Sequence, residues 1–243
     1  MVNLNKEIKI SKYKVNSNTY NVIRDDFLKG GTKQRAIEVF LEKGIDEYIY
    51  AGPTEGYAQI ALAYLCKLYK KKAILFVSGQ KKSHLTKKAQ DLGAKIFFKK
   101  YTRKIAQKKA QEYEKSHPKS KLLPFGLESP EFLKMLKKNI KKAFPKDVQS
   151  PKRMWLVAGS GTILKALQSV FPKTKFQVVQ VGKKIWPDQL RKKDTLYISS
   201  KKFWEIAYPL PPYPSVSTYD AKLWEFVEEY GKDGDYIWNV AKD

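Results

Sequence analysis

A chain of 243 residues with 42% hydrophobic and 13% aromatic side chains can fill one large domain or two small ones, which excludes a disordered tail. Forty-eight Lys and Arg against 24 Asp and Glu leave a formal charge of +24, so exposed helices are lysine-decorated and polyanions such as nucleic acid, anionic membranes or acidic metabolites are attracted. Two histidines and one cysteine leave almost no material for a histidine metal site, a Ser-His-Asp triad or an internal disulfide, and no metal site is expected.

In chain order, Ala36, Ile37, Val39, Phe40 and Leu41 follow helical spacing, predicting a helix over 34–43 that stops at Gly44. Alternation then sets in. The expected elements are a strand at 48–51, a turn at 53–56, a helix at 57–68, a strand at 73–77, a helix at 85–92 ended by Gly93, and a strand at 95–98. A helix at 103–115, a short strand at 121–125 and a helix at 130–143, capped by Ser129 ahead of Pro130, come next. Strands at 154–158, 176–181, 195–199 and 236–240 and helices at 163–170 and 221–230 complete the chain. Strand and helix alternating through short links predict right-handed βαβ units and a mostly parallel sheet. Tyr208-Pro209-Leu210-Pro211-Pro212-Tyr213-Pro214 cannot pair in a ladder and is expected to be an ordered arm that wraps a partner subunit or closes a site.

Cys66 directly continues the apolar run Ile60–Leu65, so a buried thiol and a reducing compartment are expected. No apolar run approaches 18 residues, and Met1-Val2-Asn3-Leu4-Asn5-Lys6 has no apolar leader core. A cytoplasmic protein with no membrane association is expected. Small size and lysine richness extend that expectation to a viral origin.

Two glycine turns concentrate the chemistry. Gly30-Gly31-Thr32-Lys33-Gln34-Arg35 presents a glycine-flanked lysine, and a lysine becomes a Schiff-base nucleophile when burial lowers its pKa. Gly159-Ser160-Gly161-Thr162 follows a strand and opens a helix, where backbone N–H groups meet a phosphate. Together they suggest pyridoxal phosphate.

The order of three segments strengthens this. Arg24-Asp25-Asp26, followed by Gly30-Gly31-Thr32-Lys33-Gln34-Arg35, resembles the cofactor-lysine segment of fold-type II pyridoxal-phosphate enzymes, above all the aminocyclopropane-carboxylate deaminase and D-cysteine desulfhydrase group; Thr32 stands in place of an asparagine. Thr54-Glu55-Gly56-Tyr57-Ala58-Gln59-Ile60-Ala61-Leu62-Ala63 is similar to that family's substrate loop and helix, and Gly159–Thr162 to its phosphate loop. The resemblance covers residues 20–182. It implies an α/β, three-layer parallel-sheet fold of the tryptophan synthase beta-like kind in a compact version, with a large cofactor domain over 1–50 and 120–243 and a small substrate-side domain over 51–119.

By the same resemblance Lys33 would bond to the cofactor and later move the α-proton. Thr54, Glu55 and Gly56 would bind substrate, and Gly159, Ser160, Gly161 and Thr162 would hold the phosphate. Tyr57 stands where the family has an asparagine against the ring's 3′-oxygen, and its phenol is expected to donate in its place or its ring to stack. Ser217 and Thr218 are the candidates for the pyridine nitrogen. The function implied is a lyase or deaminase acting at an amino-acid Cα by elimination, deamination or decarboxylation, on a small or nucleic-acid-linked amino substrate, and the resemblance also implies a homodimer. The alternative is a catalytically altered protein of the same fold whose basic surface binds nucleic acid or a protein.

Overall fold

The computed structural model describes residues 4–243; Met1–Asn3, which open the segment read above for a leader, lie outside the described residues. Two sheets organise the chain. The first carries six strands in the order β1 (Ile10–Val15), β2 (Asn18–Arg24), β10 (Tyr236–Asn239), β7 (Arg153–Ala158), β8 (Lys175–Gln180) and β9 (Thr195–Ile198). All pairs are parallel except the edge hairpin β1–β2. The second sheet is fully parallel, in the order β5 (Lys95–Tyr101), β4 (Lys72–Ser78), β3 (Glu47–Pro53) and β6 (Ser120–Leu122). It therefore runs from residue 47 to 122, so β3 straddles the expected division at 50/51 and β6 lies beyond the one at 119/120.

Each sheet is covered on both faces, which is why its central strands read as unbroken apolar runs. In β7, Met154, Leu156 and Ala158 point into the main core with α4 (Pro130–Ala143) and α5 (Thr162–Val170). Trp155 and Val157 point the other way, onto Trp224 and Val227 of α6 (Trp224–Tyr230). In the small sheet, α1 (Ala58–Leu68) and α2 (His84–Asp91) cover one face, and Ala106 and Ala110 of α3 (Arg103–Ser116) pack on Ile49, Ala51, Ile74 and Phe76 on the other. Cys66 is buried in α1, and desolvation pushes its thiol up to about 12. The caps fall where the sequence puts them: Ser129 Oγ accepts from the Phe132 amide at 3.1 Å at the start of α4.

Three expected elements differ. The helix expected over 34–43 is instead two 3-10 turns, Thr32–Arg35 and Ile37–Phe40, broken at Ala36 (φ −134°, ψ −5°). Side chains override the helical spacing: Gln34 is tied to Gly30 N and Leu4 O, Arg35 to Asp25, and the Asn139 amide donates to the Arg35 carbonyl. The strand expected over 121–125 ends at Leu122, and a 3-10 turn at Phe125–Leu127 takes over, with Gly126 in the left-handed region at φ +71°. The helix expected over 221–230 opens as a 3-10 turn and becomes α-helical only at Trp224.

The hairpin β1–β2 is absent from the sequence reading: Lys12 and Lys14 alternate with Tyr13 and Val15, and only the paired fold shows that Tyr13, Val15, Tyr20 and Val22 share one face against the core around Trp155 and Trp224. Its turn is marked only by Asn16 in the left-handed region (φ 54°). The C-terminal half of the proline arm packs on its own sheet, while Tyr208 and Leu210 are exposed. Asn239 donates to the Pro214 carbonyl at 2.8 Å, and Tyr213 is buried against Trp224. Among the described residues no helix is long and apolar enough to cross a membrane.

Candidate active site

Parallel strands deliver their C-terminal ends to one place, and here the ends of β3, β4, β7 and β8 frame a cavity of about 330 Å³ between the two sheets. Lys33 lines it, with Glu55, Gly56, Tyr57, Gly159, Ser160 and Gly161. Residues more than 120 positions apart thus meet in one site.

The lysine is placed by a buried scaffold. Arg24 forms a two-pronged pair with Asp26 at 2.7 and 2.8 Å, and Arg35 pairs with Asp25 at 2.6 Å while also donating to Asn5 Oδ1. Thr32 accepts from the Trp238 indole at 2.8 Å, and its amide donates to the Val240 carbonyl. Gly31 sits at φ +63°, where a Cβ would lie 2.7 Å from the Val240 carbonyl oxygen. No other residue fits there. The loop is therefore pinned to β10, and Lys33 Nζ donates to the Gly126 carbonyl across the cavity.

Burial holds the Lys33 ammonium down at about 8, against a small opposing pull from Glu128. About a tenth of Lys33 is then free amine at pH 7, on the order of a hundredfold more than for an exposed lysine. Amine-directed labelling of Lys33, followed by peptide mapping over a pH series, is expected to show a midpoint near pH 8; a midpoint above 10, as for an exposed lysine, would contradict the buried setting.

At the other end of the cavity β7 runs into the glycine turn. Gly161, at φ +84°, is the residue before α5. Among the described residues no backbone carbonyl accepts from the amides of Ser160, Gly161 or Thr162, so three donors are left at a helix start, and Ser160 and Gly161 line the cavity. Gly126 closes the cradle: a Cβ there would lie 2.9 Å from Ser160 Cβ. Thr162 is fully buried and does not line the cavity; its hydroxyl donates to Glu128 Oε2 at 3.2 Å and lies 2.9 Å from Ser160 Oγ, so it braces the turn from behind.

Other expected residues take different places. Thr54 is buried and does not line the cavity; its carbonyl accepts from Gln59 Nε2 at 2.6 Å and Thr86 Oγ1 at 3.1 Å, so its backbone anchors α1 and α2. The Tyr57 ring lines the cavity, but its hydroxyl is directed to the carbonyls of Lys29 and Lys242, at 3.4 and 3.3 Å. Burial raises its pKa, which leaves it a neutral wall.

Ser217 and Thr218 do not reach the cavity. The Ser217 amide donates to Asp243, and Thr218 Oγ1 donates to Glu55 Oε2 at 3.3 Å, orienting a carboxyl whose pKa burial raises. Their neighbour Tyr219 is the one that arrives: a Cβ on Gly159 would lie 3.0 Å from its hydroxyl. Next to it Asp220 is fully buried, and burial with the nearby Asp26 carboxylate pushes it well above the usual carboxylate range.

Sequence reading also missed Tyr50, Phe125, Gly126, Arg103 and Lys183 on the cavity wall. The Tyr50 hydroxyl accepts from the Gly126 amide at 3.4 Å, and burial holds its pKa up at about 12. Pro124-Phe125-Gly126, a proline and a glycine at a strand end, was the available signal for this loop.

No family model matches the chain, and no curated protein matches it by sequence. Solved structures do match. An ACC deaminase homologue superposes with a TM-score of 0.78 at 16% identity over 97% of this chain and 89% of its own. A hydrogen sulfide-producing enzyme from Fusobacterium nucleatum gives 0.72 at 14% identity over 100% and 98%. The chain has the fold-type II pyridoxal-phosphate fold. An O-acetylserine dependent cystathionine beta-synthase from Helicobacter pylori extends the likeness, at 0.67 and 18% identity over 99% and 94%.

Proposed function

We propose that the chain is a pyridoxal-phosphate-dependent enzyme of the lyase or deaminase kind, acting at the Cα of an amino substrate. One observation carries this reading: a half-buried lysine with a lowered pKa and a glycine turn whose amides no backbone carbonyl accepts line a single cavity. The residues fit the group. Ser160, Gly161 and Thr162 offer amides for its phosphate, Gly126 leaves the space a side chain would fill, and Lys33 supplies the amine for its aldehyde. When bound, the cofactor withdraws electrons from the substrate's Cα.

The protein supplies the rest. Lys33 Nζ takes the Cα proton and returns it, a role suited to an amine that titrates near pH 8. Glu55, its pKa raised by burial and its carboxyl held by Thr218, can protonate a departing group at the substrate's far end. Val157, Ala158, Tyr219 and Phe203 exclude water from the reacting atoms.

An anionic substrate is favoured by the mouth of the cavity. Arg103 and Lys183 flank the Phe125 ring, 3.9 and 5.7 Å from its centre, and among the described residues neither forms an ion pair. For an amino acid with a second anionic group, Arg103→Ala is expected to raise KM on the order of 10-fold with kcat nearly unchanged. An equal loss for neutral amino acids would remove this role. The test of the main reading is direct: wild-type protein mixed with pyridoxal phosphate should develop a visible absorption band that borohydride fixes onto a Lys33 peptide. Attachment only to scattered surface lysines would refute it.

A further inference from the structure

Five tryptophans divide sharply. Trp155, Trp224 and Trp238 are buried, whereas Trp186 and Trp204 are 53% and 56% exposed. The exposed pair sits on the loops that leave the C-terminal ends of the neighbouring parallel strands β8 and β9, and the two loops touch where Phe203 covers Gly182. Each indole has a lysine over its face, Lys184 at 4.7 Å from Trp186 and Lys202 at 5.8 Å from Trp204. The same loops supply Lys183 and Phe203 to the cavity wall, so this aromatic and cationic lip is the rim of the site.

From the lip a chain of hydrogen bonds runs past the glycine turn to the groove beside α4. The Trp186 amide donates to Gln189 Oε1 at 3.0 Å, Gln189 Nε2 donates to the Ser160 carbonyl, and Thr162 and Lys165 both bond Glu128. Glu128 and Lys165 border a groove of about 900 Å³ whose far wall is Lys134, Lys137, Lys138 and Lys141 of α4. These four follow i, i+3, i+4, i+7 spacing on one helix face, and among the described residues none has an ion-pair partner. Like charges so placed cost helix stability when nothing neutralises them. The occupant that suits a lysine track leading to two exposed indoles is a polyanion with flat, unpaired faces.

We propose that single-stranded nucleic acid lies along this track, its phosphates on the α4 lysines and its bases on Trp186 and Trp204 at the rim of the cavity. Stacking suits an unpaired strand because every base has a face, and a charge of +24 disfavours a second copy of the chain on the same surface. The inference needs neither the cofactor nor turnover.

The experiment uses the full chain and a fluorescent oligodeoxythymidine of about 20 nucleotides, long enough for several stacked bases. Saturable binding with quenching of the exposed tryptophans is expected. Trp186→Ala with Trp204→Ala should weaken it roughly 10- to 100-fold, while Lys137→Glu with Lys141→Glu should flatten the salt dependence by about two phosphate contacts. Lys33→Ala should bind as wild type, which separates this result from the fate of the catalytic reading. Unchanged affinity in the tryptophan variant, equal or tighter binding of a duplex of the same length, or sedimentation showing the lip sealed by a second copy would each overturn the proposal.

Discussion

Lys33→Ala is expected to abolish borohydride-stable attachment of pyridoxal phosphate and to lower turnover on the order of 10³-fold or more, because it removes both the amine that bonds the aldehyde and the base that moves the Cα proton. Non-covalent binding should persist, since the amides of Ser160, Gly161 and Thr162 are untouched. Lys33→Arg keeps the charge without the nucleophile and should be equally inactive, whereas a small added amine should restore part of the activity to the alanine variant. Absorbance, activity and dialysis measure these three outcomes separately. Normal attachment in Lys33→Ala would place the chemistry elsewhere.

The same residue gives a sign for pH dependence. Its folded pKa, about 8, lies below the unfolded value near 10.5, so the unfolded chain holds more proton between those limits. Lys33 therefore costs stability while charged, below pH 8, and that cost fades as pH rises through the window. Relative to Lys33→Ala, wild-type protein should gain thermal stability from pH 7 to pH 10. A constant difference would mean the ammonium is solvated.

The largest stability effect is expected at Asp25. Asp25 and Arg35 form a fully buried pair at 2.6 Å, and Arg35 also donates to Asn5 and to the Lys6 carbonyl, so one carboxylate steadies the N-terminal segment and the lysine loop together. Asp25→Ala leaves a buried guanidinium with no counter-charge, at a cost of about 3–5 kcal/mol. For a chain of this size that lowers Tm by about 10 °C. Replacing both partners with apolar residues should recover much of the loss, because a paired deletion leaves no stranded charge. Calorimetry of the single and double variants decides between a buried pair and a solvated one; a drop of under about 1 kcal/mol in the single variant would indicate the latter.

How far the sequence could be read follows from where each signal is local. α4 is legible to the residue because Ser129, Pro130 and its apolar spacing act within one turn. The parallel strands are legible because burial on both faces demands continuous apolar runs. The 34–43 segment is not, since its apolar spacing is real but Gln34 and Arg35 reach back to residues 4, 25 and 30 and hold the backbone in 3-10 turns. Nor is β1–β2, whose Tyr13, Val15, Tyr20 and Val22 alternate with Lys12, Lys14 and Asn21 and find their core only against the distant Trp155 and Trp224.

The site divides the same way. Sequence alone determined the lysine with its two glycines, the glycine turn at a strand-to-helix junction, and the order that links them, because glycine at Gly31 and Gly161 answers to a backbone angle written into the residue itself. Only the tertiary structure decided that the Thr162 side chain turns inward as a brace, that Thr218 serves Glu55 while Tyr219 reaches the cavity, and that Phe125, Arg103 and Lys183 converge at its mouth. Those roles depend on which side of a loop a side chain leaves, and that is set by contacts with residues far away in the chain.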